Sequence, residues 1–146
     1  IKKVGDAEQR VFQNCLKCIM NREYYLDTAD TSTDVNLWGD GTPTRDFLHV
    51  RDAARAIVLA AKYKGQGPHF GINIGTGVEC SIDYLVKTVC ELKDFNYRKI
   101  KWDGSKPNGQ IRRCLDVSKA KEILKWHSEV GLLDGLKELC NNGKEI

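Results

Sequence analysis

Short apolar runs alternate along this chain with stretches of helical periodicity, and glycine or proline stands at most of the changes between them. This alternation limits the fold more than any other feature, because a change of apolar period marks a change of element. Residues 6–21 read as a helix, with Val11, Cys15, Cys18 and Ile19 on one apolar stripe. Residues 22–34 are polar, rich in Thr and Asp, and read as a loop. Residues 35–38 form a short extended run that ends in the turn Gly39-Asp40-Gly41, and residues 45–50 look extended. Residues 51–64 read as a helix whose small-residue face carries Ala53, Ala54, Ile57, Val58 and Ala61. Gly65-Gln66-Gly67-Pro68 stops it. Residues 70–74 read as a buried strand, Gly75-Thr76-Gly77 as a tight turn, and residues 82–92 as a helix capped by Ser81. Residues 99–102 predict another strand, with Lys99 and Lys101 on one face and Ile100 and Trp102 on the other. A loop covers 104–109, Ser118 caps a short helix reaching Lys125, and a last helix spans 132–141 with Gly143 as its stop. The order predicts an α/β protein with short parallel strands and flanking helices.

Length and charge exclude several classes. The 146 residues fit one domain or part of a larger one. With 41% apolar and 29% charged residues, the chain has the balance of a globular core rather than a disordered tail. A net charge of +3 is too small and too dispersed for a nucleic-acid reader, and it suits an anionic small molecule. No apolar run approaches the ~20 residues of a membrane span. Six cysteines (Cys15, Cys18, Cys80, Cys90, Cys114 and Cys140) permit disulfides, but the chain opens on a charged segment without a signal-peptide pattern. The thiols therefore read as reduced and the protein as cytoplasmic. A segment preceding Ile1 would bring its own targeting information. Cys15-x-x-Cys18 lacks the second ligand pair that zinc needs and falls on the apolar stripe, so core packing is expected and no metal. His49, His69 and His127 share no ligand or base–nucleophile spacing.

Three clusters carry the candidate chemistry. In residues 37–47 a turn of two glycines and a proline has Trp38 before it and Arg45 after it. An indole face can stack on a planar base, and a guanidinium fork can hold two phosphate oxygens. Periodicity alone favours a plain hairpin with a core Trp and a surface Arg. Residues 106–113 form a Gly/Pro loop that delivers Arg112 and Arg113, of which only one can face a given side of an extended segment. A solvated basic loop is the commoner fate of such a pair. Residues 73–77 resemble a phosphate-cradling strand–turn–helix, but Glu79-Cys80 stands where the last glycine of G-x-G-x-x-G belongs.

Together the three stretches resemble the extended short-chain dehydrogenase/reductase (NAD-dependent epimerase/dehydratase) family. They are Trp38-Gly-Asp-Gly-Thr-Pro-Thr-Arg45-Asp-Phe-Leu-His-Val, Ile72-Asn-Ile-Gly-Thr-Gly-Val-Glu-Cys-Ser-Ile82, and Ser105 through Ser118 with Lys125-Trp126 beyond. They occur in the family's order, and the likeness is strongest to its GDP-L-fucose synthase branch. The resemblance implies a Rossmann-like enzyme of which residues 1–146 are the C-terminal, substrate-binding part. It implies a nucleotide-sugar ligand, of the GDP-sugar class. Trp38 falls on a nucleotide-contacting position, Arg45 on a substrate-binding arginine, and Arg113, with Arg112 beside it, on a basic position of the later loop. Lys99 falls near a further substrate contact. Arg51 stands where the family usually has an acidic residue.

The family's glycine-rich dinucleotide fingerprint and its catalytic Tyr-x-x-x-Lys are absent from this chain. Tyr97 does precede Lys101 by four positions, but it follows the second motif and is discounted. The resemblance therefore implies NADP or NAD in the complete enzyme, none bound by this chain alone, and no catalytic residue here. It also implies that the helix over 51–64 and the strand over 70–74 would normally pack on a cofactor domain. Without that domain, self-association or pairing with a separate NAD(P)-binding chain is expected. A stand-alone, non-catalytic nucleotide-sugar-binding or interaction module is the alternative.

Overall fold

The computed structural model describes residues 35–65 and 71–142. The helix expected over 6–21, the loop after it, Cys15, Cys18, His69 and the stop at Gly143 lie outside the described residues. In chain order the elements are β1 (Val35–Trp38), β2 (Thr44–Arg45), α1 (Val50–Lys62), β3 (Cys80–Ser81), α2 (Ile82–Leu92), β4 (Ile100–Asp103), β5 (Arg112–Arg113), α3 (Ser118–Ile123) and α4 (Leu132–Asn142). A 3-10 turn, Tyr97–Lys99, leads into β4. The chain divides into two compact units, one of residues 1–43, 81–111 and 136–146, the other of residues 44–80 and 112–135.

The first unit is built on a parallel pair. β1 and β4 run side by side with Val35 opposite Ile100 and Trp38 opposite Asp103, and Gly39 N continues the ladder to the Asp103 carbonyl at 3.0 Å. Leu37 and Ile100 are buried. Ser81 caps α2 as the sequence predicts, its hydroxyl accepting from Tyr84 N at 3.1 Å. Leu85, Val86, Val89 and Cys90 give α2 a buried stripe at helical spacing. The buried Thr88 hydroxyl is satisfied by the Tyr84 carbonyl one turn back. Leu136 and Cys140 bury one face of the later turns of α4, and Lys93 Nζ donates to the Cys140 carbonyl at 2.5 Å.

The second unit has a core of Ala56, Ala120, Leu124 and Trp126, against which Leu48, Ile72, Ile74 and Ile123 pack. Ala120 is fully enclosed, so it leaves no room for a larger side chain between α3 and its neighbours. Trp126 carries a polar N–H into this core and satisfies it on the Asp52 carbonyl at 3.2 Å. The Asp52 carboxylate is itself buried and accepts from Glu129 N at 3.0 Å, Val130 N at 2.9 Å and the Arg55 guanidinium at 3.0 Å. This ties α1 to the loop before α4.

The structure corrects four sequence expectations. Residues 46–49 join no strand, and Val50 is already helical: His49 keeps extended backbone, and its Nδ1 accepts from Arg51 N, so it caps α1, which begins at Val50 and ends at Lys62. Residues 71–74 form no strand; Ile72 and Ile74 are half-buried on the core, and no strand edge supplies a ladder among the described residues. Ser118 is the first residue of α3 rather than its cap, because the Asp116 carboxylate already accepts its N–H at 2.9 Å. Lys99 ends the 3-10 turn, and the strand starts one residue later.

Candidate functional site

The turn after β1 is locked by its own side chains. Gly39 and Gly41 adopt φ of +84° and +78°, conformations that a side chain disfavours. Each is also enclosed. A Cβ on Gly39 would collide with the Asn108 amide, and one on Gly41 would lie 2.8 Å from the Trp102 ring. The Asn108 amide oxygen accepts from Asp40 N at 2.9 Å. The Asp40 carboxylate accepts from the hydroxyl and the N–H of Thr42, and these bonds, with Asn108 beside them, hold it below the usual carboxylate range.

Trp38 is half exposed at the end of β1, and Lys106 Nζ lies 5.9 Å from its ring centroid. The first unit therefore presents an accessible indole face with a cation beside it. Lys99 belongs to the same unit but precedes Ile100, which pairs with Val35, at the other end of the strand pair. It lies four positions before Asp103, the register partner of Trp38, so at ~3.3 Å per residue it stands roughly 13 Å from Trp38 along the strand. The cation next to the indole is Lys106, which sequence reasoning places in the loop but does not select.

The second unit holds the arginines. In the three-stranded sheet β3-β2-β5, β2 and β5 are parallel, with Thr44 opposite Arg112 and Arg45 opposite Arg113. Successive residues of a strand face opposite sides, so Arg45 and Arg113 share one face and Thr44 and Arg112 the other. The second pair is bound by Glu79: Thr44 Oγ1 donates to one carboxylate oxygen at 2.8 Å and Arg112 Nε to the other at 2.7 Å. These bonds hold Glu79 below its ordinary range, Arg112 contributing most, and raise Arg112 in return. Arg45 NH1 donates to the Thr44 carbonyl at 2.7 Å, and Arg113 is exposed.

Asp46, beside Arg45, organises the glycine turn. Its carboxylate accepts from Thr76 N at 2.9 Å, Thr76 Oγ1 at 2.5 Å and Gly77 N at 3.0 Å. Gly75 is buried against it, and a Cβ there would stand 2.6 Å from Asp46 Oδ2. The N–H groups that a dinucleotide phosphate would need at this turn are already used by a carboxylate, so the turn does not fit a nicotinamide cofactor. Sequence reasoning misses Asp46 and Glu79; their only signal is adjacency to Arg45 and to β3.

Tyr97 is no better suited to catalysis. Burial and its hydrogen bond to Asp83 raise its pKa, whereas a catalytic base needs a pKa nearer neutrality. Trp102 Nε1 donates to the same hydroxyl at 3.2 Å, and Lys101 Nζ turns to the Arg98 carbonyl. The group buttresses the Gly41 turn. Among the described residues no cluster of His, Cys, Asp or Glu could hold a metal ion, and no helix is long and apolar enough to cross a membrane. Cys80, Cys90, Cys114 and Cys140 form no disulfide.

Comparison with known proteins agrees with this architecture. Residues 5–75 match the model of the NAD dependent epimerase/dehydratase family. The chain is 37% identical over 122 residues to GDP-L-fucose synthase of Escherichia coli (strain K12), covering 79% of this chain and 37% of that protein. It superposes on UDP-glucose 4-epimerase of Thermotoga maritima, solved with UDP-glucose, with a TM-score of 0.71 at 26% identity, over 92% of this chain and 39% of that one. It superposes on UDP-glucuronic acid 4-epimerase of Bacillus cereus, solved with UDP-glucuronic acid and NAD, with a TM-score of 0.69 at 27% identity, over 87% of this chain and 40% of that one. The chain spans about a third of the length of the curated relatives it matches. Parallel strands, flanking helices and these matches give a Rossmann-like α/β fold, and the chain belongs to the NAD dependent epimerase/dehydratase family.

Proposed function

We propose that this chain is the C-terminal, nucleotide-sugar-binding part of an NAD(P)-dependent epimerase/reductase of the GDP-L-fucose synthase type. The complete enzyme converts a GDP-4-keto-6-deoxy-mannose to GDP-fucose, with NADP or NAD held by the remainder of the protein. One observation carries the reading. Arg45 and Arg113 are register partners on adjacent parallel strands of the second unit. At the ~4.8 Å strand spacing they set two guanidinium groups side by side on one face, a match for the neighbouring phosphates of a nucleoside diphosphate. Within the first unit the Trp38 indole offers a stacking face for a base, with Lys106 as the cation beside it, and Lys99 keeps its role as a further substrate contact. The ligand is a nucleoside diphosphate sugar rather than a nucleic acid, because the cations are few and paired.

The apolar side of α1 supports the larger assembly. Val50, Ile57, Val58 and Tyr63 are between 50% and 74% exposed. Covering such a face is a common reason for association, and its partner is a second copy or the NAD(P)-binding remainder. Calorimetric titration with GDP, GDP-mannose and UDP tests the reading. Heat with the guanine nucleotides, weakened about 10-fold or more in Arg45→Ala and Trp38→Ala, is expected from loss of a charged hydrogen-bond pair or a stacked ring. Absence of heat with all three, or unchanged affinity in both variants, refutes it.

A further inference from the structure

Glu79 belongs to none of the nucleotide-binding roles, yet its carboxylate bridges β2 and β5. Its two oxygens take Thr44 Oγ1 at 2.8 Å and Arg112 Nε at 2.7 Å, and the second guanidinium nitrogen of Arg112 closes the fork on the same oxygen as Nε. Both strands are only two residues long. A ladder this short fixes register weakly, and a slip of one residue would exchange the faces of Arg112 and Arg113. The carboxylate opposes such a slip, because it engages Thr44 and Arg112 simultaneously from the face opposite Arg45 and Arg113. Arg112 is also the arginine that the sequence cannot distinguish from Arg113.

We propose that Glu79 is a positioning residue of the anion site: by binding Thr44 and Arg112 on one face of the sheet, it selects Arg113 as the arginine that joins Arg45 on the other. This rests on the nucleotide-diphosphate reading above. It makes three statements that the reading alone does not. Arg112 is withheld from the anion. Glu79 and Arg112 act as one unit. Their loss weakens phosphate binding without touching the base.

The test is a set of titrations on the 146-residue chain, with GDP and with guanosine as probes, the second lacking phosphates. Arg113→Gln is expected to weaken GDP about 10-fold or more, as loss of a charge-assisted bond does. Glu79→Ala and Arg112→Gln should each weaken GDP about 3- to 10-fold, and the double variant no further, because both remove the same contact. Guanosine affinity should stay within about 2-fold in all of them, as expected for sites that share no partner. Glu79→Gln, which keeps the bond from Thr44, should recover part of the loss. A merely destabilised fold would weaken GDP and guanosine together, and that result overturns the proposal. So does unchanged GDP binding in Glu79→Ala, or a double variant whose losses multiply, which would make Arg112 a ligand in its own right. If the wild-type chain binds guanosine but not GDP, or neither, the parent reading fails and this one with it. If the wild type binds GDP and only the Glu79 and Arg112 variants fail to respond, the positioning role alone is lost.

Discussion

Asp52 offers the sharpest test of how the second unit is held together. Its carboxylate is 1% exposed and meets three donors: two backbone N–H groups of the loop before α4 and the Arg55 guanidinium. Burial alone would raise its pKa; the N–H groups of Val130 and Glu129 and the charge of Arg55 more than offset this and leave it below 3.8. Asp52→Ala leaves both N–H groups without an acceptor. A bond to a charged group contributes about 1.5–3 kcal/mol. Arg55 keeps the Glu129 carboxylate and the His127 carbonyl as partners and its side chain is 39% exposed, so its share of the loss is small and screened. The two N–H bonds dominate, giving a loss of about 3–5 kcal/mol, in line with breaking a buried charged partnership. Asp52→Asn keeps an oxygen for both N–H groups and gives up the bond from Arg55, since an amide NH2 and a guanidinium are both donors, so the loss is smaller, about 1–2 kcal/mol.

The pH dependence separates this account from a simple cavity effect. A depressed folded pKa contributes stability that is complete above the unfolded value of 3.8 and is lost as pH falls through the folded value. The difference in unfolding free energy between wild type and Asp52→Asn should therefore be constant above about pH 5 and shrink below the unfolded pKa. Urea titration from pH 7 to pH 3, followed by the indole N–H resonance of Trp126, reads the second unit directly, since that N–H donates to the Asp52 carbonyl. A difference independent of pH, or an Ala variant that loses less than about 1 kcal/mol, a value typical of surface sites, would refute the reasoning.

Three further outcomes follow from particular residues. Gly75→Ala should cost about 1–3 kcal/mol by overpacking, because its Cβ meets Asp46 Oδ2 at 2.6 Å, whereas Gly104→Ala, with nothing within 4 Å, should stay within about 0.5 kcal/mol; thermal melts compare them. Cys90, whose pKa burial pushes up to about 11, should resist iodoacetamide at pH 7.5 in the native protein and react in 8 M urea, roughly a fully denaturing concentration, as read by mass spectrometry. Ile57→Lys on the exposed side of α1 should leave the melting temperature within about 2 °C and reduce self-association in sedimentation velocity; an unchanged association constant would remove α1 from the interface.

The elements that local chemistry determines are legible in the residues themselves. Ser81 before an apolar 3.6-residue stripe is a start signal with a mechanism, and the structure has that bond. The run before Gly39-Asp40-Gly41 is legible for the same reason, since both glycines take positive φ. What escapes depends on partners distant in sequence. Ile72 and Ile74 look like a strand because they are apolar and alternate, but a strand also needs a neighbour's ladder, and that is not written in residues 71–74. Ser118 looks like a cap, but Asp116, two residues earlier, takes its N–H and draws it into the first turn. Distance in sequence also hides Asp46 and Glu79, whose carboxylates act across 30 and 33 positions on the glycine turn and on Arg112.

The arginines carry this limit into function. Sequence shows two adjacent guanidinium groups after a Gly/Pro loop and states that they point apart, but not which of them points toward Arg45. That parity is decided by register, and register here is decided by three contacts: the β2–β5 ladder, the Thr44 hydroxyl and the Arg112 fork on Glu79. A resemblance to a family can assign a role to the position, because relatives share the loop, yet it assigns the role without a cause. The cause is that a carboxylate on one face of a two-residue ladder makes one arginine structural and leaves the other for the ligand. Removing both contacts should therefore weaken the function rather than relocate it cleanly. In a Glu79→Ala, Thr44→Val chain only the two-residue ladder still holds the register, so the choice of Arg113 over Arg112 is no longer enforced and GDP affinity should fall about 3- to 10-fold, as in Glu79→Ala alone, because both substitutions remove the same lock.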